Sequence, residues 1–187
     1  ALMISWFGGL LIGIALGAHR LSGEVCEPIL VALYSIPKIA LYPIVLLLFG
    51  LGISAKIAFG ALHGIVPVIL FTMNAVRHLP HIWLRAAKSM RLTPAQTARY
   101  IMGPACVPEI VSGFRIGFSL TLLGTLIGEM FASQRGIGHL LLKAMELNDI
   151  LSIMALALLL LVVASMSSIG LLSMEQRLHH RHDAGRH

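Results

Sequence analysis

Few side chains in this sequence combine a titratable group with an apolar setting, and those few are the first candidates for chemistry. Lys38 follows Pro37 inside one long apolar stretch, His63 sits in a second, and Arg115 and Glu129 stand near the two ends of a third. An ionisable group in such surroundings is costly, so function is the first suspicion. Lys38 offers a lone positive charge to an anion on a path, or it meets a polar neighbour or the inner interface. His63 faces a solute path or packs with its ring hydrogen-bonded. Glu129 gates a path or anchors its helix end. Lys38, His63 and Glu129 are therefore the candidate path or gate residues. Arg115, six residues after Glu109 and so roughly 9 Å along a helix, reads as an anchor that snorkels to the interface. Asn74 reads as interhelical glue.

Other chemistries find no pattern. Cys26 and Cys106 are far apart with no CxxC, which fits free thiols. There is no HExxH zinc pair and no GxxxxGK[ST] phosphate loop, so neither an enzyme nor a cofactor of the chain's own is expected. His179, His180, His182 and His187 crowd the C-terminus, but histidines without a fixed supporting shell read as a solvated basic tail and not as a metal site.

The elements that hold these residues follow from composition. Of 187 residues, 57% are hydrophobic and 12% charged, against about a quarter charged in a soluble domain. A helix needs about 20 apolar residues to cross the hydrocarbon core. Five stretches qualify, at 1–18, 28–52, 57–76, 110–132 and 150–174, and they make 1–187 a single all-α membrane domain. Pro37 and Pro43 should kink the second. The first has no basic leader or cleavage site and reads as a span. It opens at Ala1 inside an apolar run, which sets the expectation of a further helix before it. Glycines spaced by four recur (Gly9, Gly13, Gly17; Gly60, Gly64; Gly113, Gly117; Gly124, Gly128), as ridges for close helix packing.

The formal charge of +6 has meaning by position, and it does not point to nucleic acid. Arg20, Arg77, Arg85, Lys88, Arg91, Arg99, Arg177, Arg181 and Arg186 fall in one set of loops and Lys56, Arg135 and Lys143 in the other. Basic residues accumulate in short cytoplasmic loops, so the first set and the tail at 175–187 are expected inside. The loop at 77–108 belongs to that side. Pro80 opens a helical pattern of Ile82, Trp83, Ala86, Ala87 and Met90, and Thr93, Pro94 and Gln96 form the start signal of a second short helix ending at Gly103 and Pro104. A short amphipathic pair of this kind lies in the lipid interface or seats in a groove on a soluble partner; paired alanines suit the second.

At this loop the sequence resembles the permease subunits of ABC importers that depend on a substrate-binding protein. Their cytoplasmic signature runs Glu-Ala-Ala, three residues, Gly, nine residues, Ile, any residue, Leu-Pro. Ala86, Ala87, Ile101 and Pro104 match it in spacing, while Arg85, Arg91 and Gly103 depart from it. In the family the glycine makes the turn between two coupling helices, and here that position is Arg91. The segments Ser35 to Leu41 and Phe49 to Gly52, then Pro108 to Arg115, Gly128 to Met130 and Gly136 to Gly138, resemble the nitrate, sulfonate and taurine branch.

The resemblance implies a type I ABC importer permease of the bacterial inner (plasma) membrane, usually six-spanned, moving a small solute such as a sulfonate, taurine or nitrate anion. It implies a second permease copy, a separate ABC ATPase that binds the ATP, and a periplasmic or lipid-anchored substrate-binding protein. Ala86, Ala87, Arg91, Ile101 and Pro104 would couple to the ATPase, and Glu129 would lie near the binding protein. The alternative is a secondary transporter, or another multi-span protein whose loop is an interfacial anchor.

Overall fold

In the computed structural model the backbone is described for residues 1–183, and side chains through Ser173 apart from those of Arg20, His81, Leu84, Lys88, Pro94 and Ala132. The terminal histidines and the basic residues of the tail therefore lie outside the described side chains. The described chain is all-helical, and helices occupy each of the five apolar stretches. Among the described residues three helices are long and apolar enough to cross a membrane, and a bent helix pair counts as a fourth if it forms one span.

Helix α4 (Ile53–Arg77) is the centre, with α1 (Leu2–Ala18) on one side and α7 (Gly103–Ala132) on the other. The buried residues of α1 are Ser5, Gly9, Gly13 and Gly17, one ridge at a spacing of four. At Gly13 an added Cβ would lie 2.6 Å from Thr72 Cβ and 2.9 Å from the Ile69 carbonyl, so backbone meets backbone. Lipid is as apolar as leucine, and close van der Waals contact must replace the hydrophobic drive. Where the three helices meet, Ser5 Oγ lies 3.2 Å from the Ala61 carbonyl and 3.3 Å from Thr121 Oγ1, closing a buried polar junction. With 17 residues, α1 is about 26 Å long, at the lower end for a crossing.

The expected second span is broken. Helix α2 (Arg20–Ser35) and the segment that carries a 3₁₀ turn (Lys38–Leu41) and α3 (Tyr42–Phe49) meet at 86°. The cause is Pro37: the residue before a proline is pushed out of the helical region, and Ile36 is extended at φ −66°, ψ 134°. Pro43 causes no kink, because it sits in the first turn of α3, where a missing N–H costs nothing.

The loop after α4 forms α5 (His81–Ser89) and α6 (Pro94–Thr97). The expected stop at Gly103 and Pro104 does not occur. Helix continues through a π-helical stretch (Ala98–Met102) into α7, a run of 37 residues from Ala95 to Phe131. The ring of Pro104 would clash with the carbonyl four residues back. The wider π turn, with the Gly103 N–H bonded to the Ala98 carbonyl, makes room for it. Helix α8 (Ile137–Glu146) was not expected; α9 (Ile150–Asp183) rests on α7 and α8 and continues past the expected span end at 174. Asn148, at φ 53°, closes α8 with the Asp149 N–H on the Ala144 carbonyl at 2.9 Å, as a C-terminal cap requires. Asp149 then caps α9: the Ser152 hydroxyl at 2.6 Å and the Ser152 N–H at 3.2 Å hold its carboxyl below the ordinary aspartate value.

Candidate functional site

The loop between α4 and α7 is built from helix signals that act as the sequence suggests. Thr93 and Gln96 form a reciprocal capping box: the Thr93 N–H donates to Gln96 Oε1 at 2.9 Å and the Gln96 N–H to Thr93 Oγ1 at 3.3 Å. Helix α5 ends with the Leu92 N–H on the Ala87 carbonyl at 3.0 Å, across Arg91 at φ 54°. That six-to-one bond over a left-handed residue is the glycine-type helix stop. Arg91 therefore adopts the conformation of a glycine without being one, at the cost of crowding its Cβ.

The paired alanines part company. Ala87 is 2% exposed, packed against the rest of the chain, while Ala86 is exposed on the other side. Successive residues on a helix point about 100° apart, so two neighbours cannot both sit at the centre of one narrow contact face. The residues that share the open side with Ala86 are Ile82 and Met90, 69% and 70% exposed, at a spacing of four. Ile101 is half-buried in the π turn and Pro104 exposed at the start of α7. At the root of the loop, Ala75, Leu79 and Cys106 form a buried cluster, and the Cys106 thiol reaches the Ala75 carbonyl at 3.4 Å. Leu79, two residues before α5, is thereby packed between α4 and α7.

Of the three path candidates, Lys38 and His63 are buried. Lys38, 7% exposed, donates from Nζ to the Tyr34 carbonyl at 3.3 Å and lies 5.1 Å from the centre of the Tyr34 ring. His63 is buried edge-on to Phe59 at 4.5 Å, and its Nδ1–H donates to the Phe59 carbonyl at 3.0 Å, which leaves Nε2 as the acceptor nitrogen. Gly124 lies directly beneath the ring, where an added Cβ would come within 2.9 Å. Tyr42, not anticipated from the sequence, completes the group: its ring meets Phe59 at 4.7 Å and its hydroxyl donates to the Gly128 carbonyl at 3.0 Å.

Glu129 stands apart, near the far end of α7. Its Oε2 accepts the Gly138 N–H at 3.0 Å, placing a negative charge at the positive end of α8. It also borders an apolar cavity of about 460 Å³ between α7, α8 and α9. At the same end Lys56 donates to Ser133 beside Arg135, and these line an outer cavity of about 720 Å³. At the opposite end Arg77 bonds Glu27 at 2.6 Å and lies 3.8 Å from Glu24. Neither glutamate was singled out from the sequence, although their spacing of three on one helix face was the available signal. Among the described residues no His, Cys, Asp and Glu group could hold a metal ion.

Comparison with known proteins gives this arrangement its context. Residues 9–181 match the family model described as binding-protein-dependent transport system inner membrane component. The chain is similar to a probable ABC transporter permease protein of Haemophilus influenzae, 32% identical over 88% of this chain and 67% of the relative. It is 27% identical to the taurine transport system permease protein of Escherichia coli, over 95% of this chain and 65% of the relative. With the riboflavin transport system permease protein of Chloroflexus aurantiacus the figures are 31%, 76% and 54%. Aliphatic sulfonate and nitrate permeases are also among the matches. The chain thus spans about half to two thirds of the length of these relatives. It belongs to the family of inner membrane components of binding-protein-dependent transport systems.

Proposed function

We propose that this member of the family is the permease subunit of an ABC importer, and that it couples a small solute's passage to ATP hydrolysis in a separate subunit through the loop at 77–108. The family match over residues 9–181 carries the reading. The loop's geometry supports it: an open apolar stripe of Ile82, Ala86 and Met90 follows Leu79, which is packed between α4 and α7. A stripe with a small residue at its centre suits a groove on a soluble partner. The sequence holds no phosphate loop, so ATP belongs to that partner.

Solute would be delivered by a binding protein at the end that carries Lys56, Arg135 and α8, and a second permease copy would complete the path. The solute class is a small anion of the sulfonate, taurine or nitrate type, in keeping with the positive charge of Lys38 and with the names of several relatives. Lys38 and His63 are the path residues. Glu129 acts as the clasp that fixes α8.

The test separates the two alanines. Ala86→Glu places a charge in the contact and should abolish co-purification with an ATPase of the same transport family from the same genome, with the permease still folded. Ala87→Glu forces a carboxylate into a packed site, an expected loss of about 2–4 kcal/mol, and should unfold the loop instead, read as protease cleavage near Arg91. Undiminished ATPase binding by Ala86→Glu would remove the coupling role and leave the interfacial anchor as the account of this helix.

A further inference from the structure

Helix α2 is held at one end. Among its described residues only Gly23 is buried, Cys26, Glu27 and Leu30 are half-buried, and Val31 through Ser35 are exposed, as are Ile36 and Pro37 beyond its end. It ends at the 86° bend that carries Lys38. Against its first turns lies Arg77, the last residue of α4, which donates from Nη1 to Glu27 Oε2 at 2.6 Å and reaches Glu24 at 3.8 Å. The arginine stem crosses Gly23, where an added Cβ would meet Arg77 Cδ at 3.3 Å. Only His78, Leu79 and Pro80 separate Arg77 from α5, and Leu79 is itself buried in the cluster with Ala75 and Cys106.

We propose that Arg77, Glu24 and Glu27 form an ionic strut that passes movement of the coupling loop to α2 and hence to the bend at Pro37 and Lys38. The inference rests on the permease reading above. An arm docked mainly near one end turns about its attachment, so a small displacement of Arg77 becomes a larger one at Ser35. A charge-assisted arginine bond fixes direction as well as distance, which an apolar contact between α2 and α4 does not. Glu27 and Arg77 are thus positioning residues. They act on the path through the bend and touch no solute.

The experiment uses the full chain in nanodiscs with its co-purified ATPase, after Cys26→Ser and Cys106→Ala. Spin labels go on Leu11→Cys in α1 and Ser35→Cys in α2, and distances are read with and without ATP and vanadate. The wild-type arrangement should shift its Leu11 to Ser35 distance on trapping. Arg77→Glu or Glu27→Arg should each cut the shifted fraction roughly fivefold or more, and the double exchange should restore it. Glu27→Gln, nearly isosteric and uncharged, repeats the loss without a repulsive charge. Wild-type shifts in the single variants would overturn the strut. So would a double exchange that melts and binds ATPase normally yet does not shift. An assembly that hydrolyses ATP while Ser35 stays still also removes the strut and leaves the permease reading intact. A chain that binds no ATPase at all removes both.

Discussion

Arg91 carries the clearest local conflict in the molecule. A left-handed residue with a Cβ is about 1–2 kcal/mol less favourable than in the right-handed region, and glycine removes that term while giving back part of it through a freer unfolded chain. Arg91→Gly should therefore stabilise the α5 stop by about 0.5–1 kcal/mol, seen as a severalfold slower exchange of the Leu92 amide. Arg91→Ala keeps the Cβ and should leave that exchange unchanged; equal slowing in both would show that the arginine charge, and not the backbone, limits the turn. Gly13 poses the opposite problem, since its backbone is ordinary and its space is full. Gly13→Leu must drive α1 off α4 and should lower thermal stability in detergent by well over the ~1–3 kcal/mol of ordinary overpacking. Gly170→Leu, with nothing within 4 Å, is the control that should change nothing. These two positions show what a sequence conveys at this scale. The period of four at Gly9, Gly13 and Gly17 was visible, and so was the departure at Arg91, but that Arg91 keeps the glycine's conformation depends on the hydrogen bond from Leu92 to Ala87, which no spacing reveals.

At the scale of elements, apolar length located α1, α4, α7 and α9, because a helix surrounded by lipid has to satisfy its backbone internally and reads as a long uncharged run. Proline was less legible, since its effect depends on what the backbone around it can do. Pro37 breaks its span by 86°, while Pro67 and Pro108 lie inside continuous helices and Pro104 is absorbed by a π turn. Helix α8 was missed because it is short and amphipathic, too polar for a span. Its signal was the recurrence of Ile137, Leu140, Leu141 and Ala144 after Gly136. Glu129 shows how an element changes the meaning of a residue. Read alone it was as much a gate as an anchor; beside Gly138 it is the N-terminal cap of α8. Ala86 and Ala87 show the same from the other side, since a motif names both and the helix can offer only one of them to a partner.

The whole bundle carries a test of its own orientation. Arg77 meets Glu24 and Glu27 at one end of α4, and Lys56 meets Ser133 beside Arg135 at the other. Arg77 of one basic set and Lys56 and Arg135 of the other thus stand at opposite ends of α4. The excess of Lys and Arg in the sequence set that includes Arg77 predicts that this end faces the cytoplasm, because positive loops resist translocation. The native thiols are poor reporters, since Cys106 is buried against Ala75 and Cys26 is half-buried. Exposed positions serve better. In a chain with Cys26→Ser and Cys106→Ala, Gln134→Cys should react with an impermeant maleimide added to intact cells, and Ser89→Cys should react only after the membrane is opened. The reverse pattern would turn the molecule over. It would put the stripe of Ile82, Ala86 and Met90 on the side away from any cytoplasmic ATPase, and the coupling role of the loop would fall with the orientation.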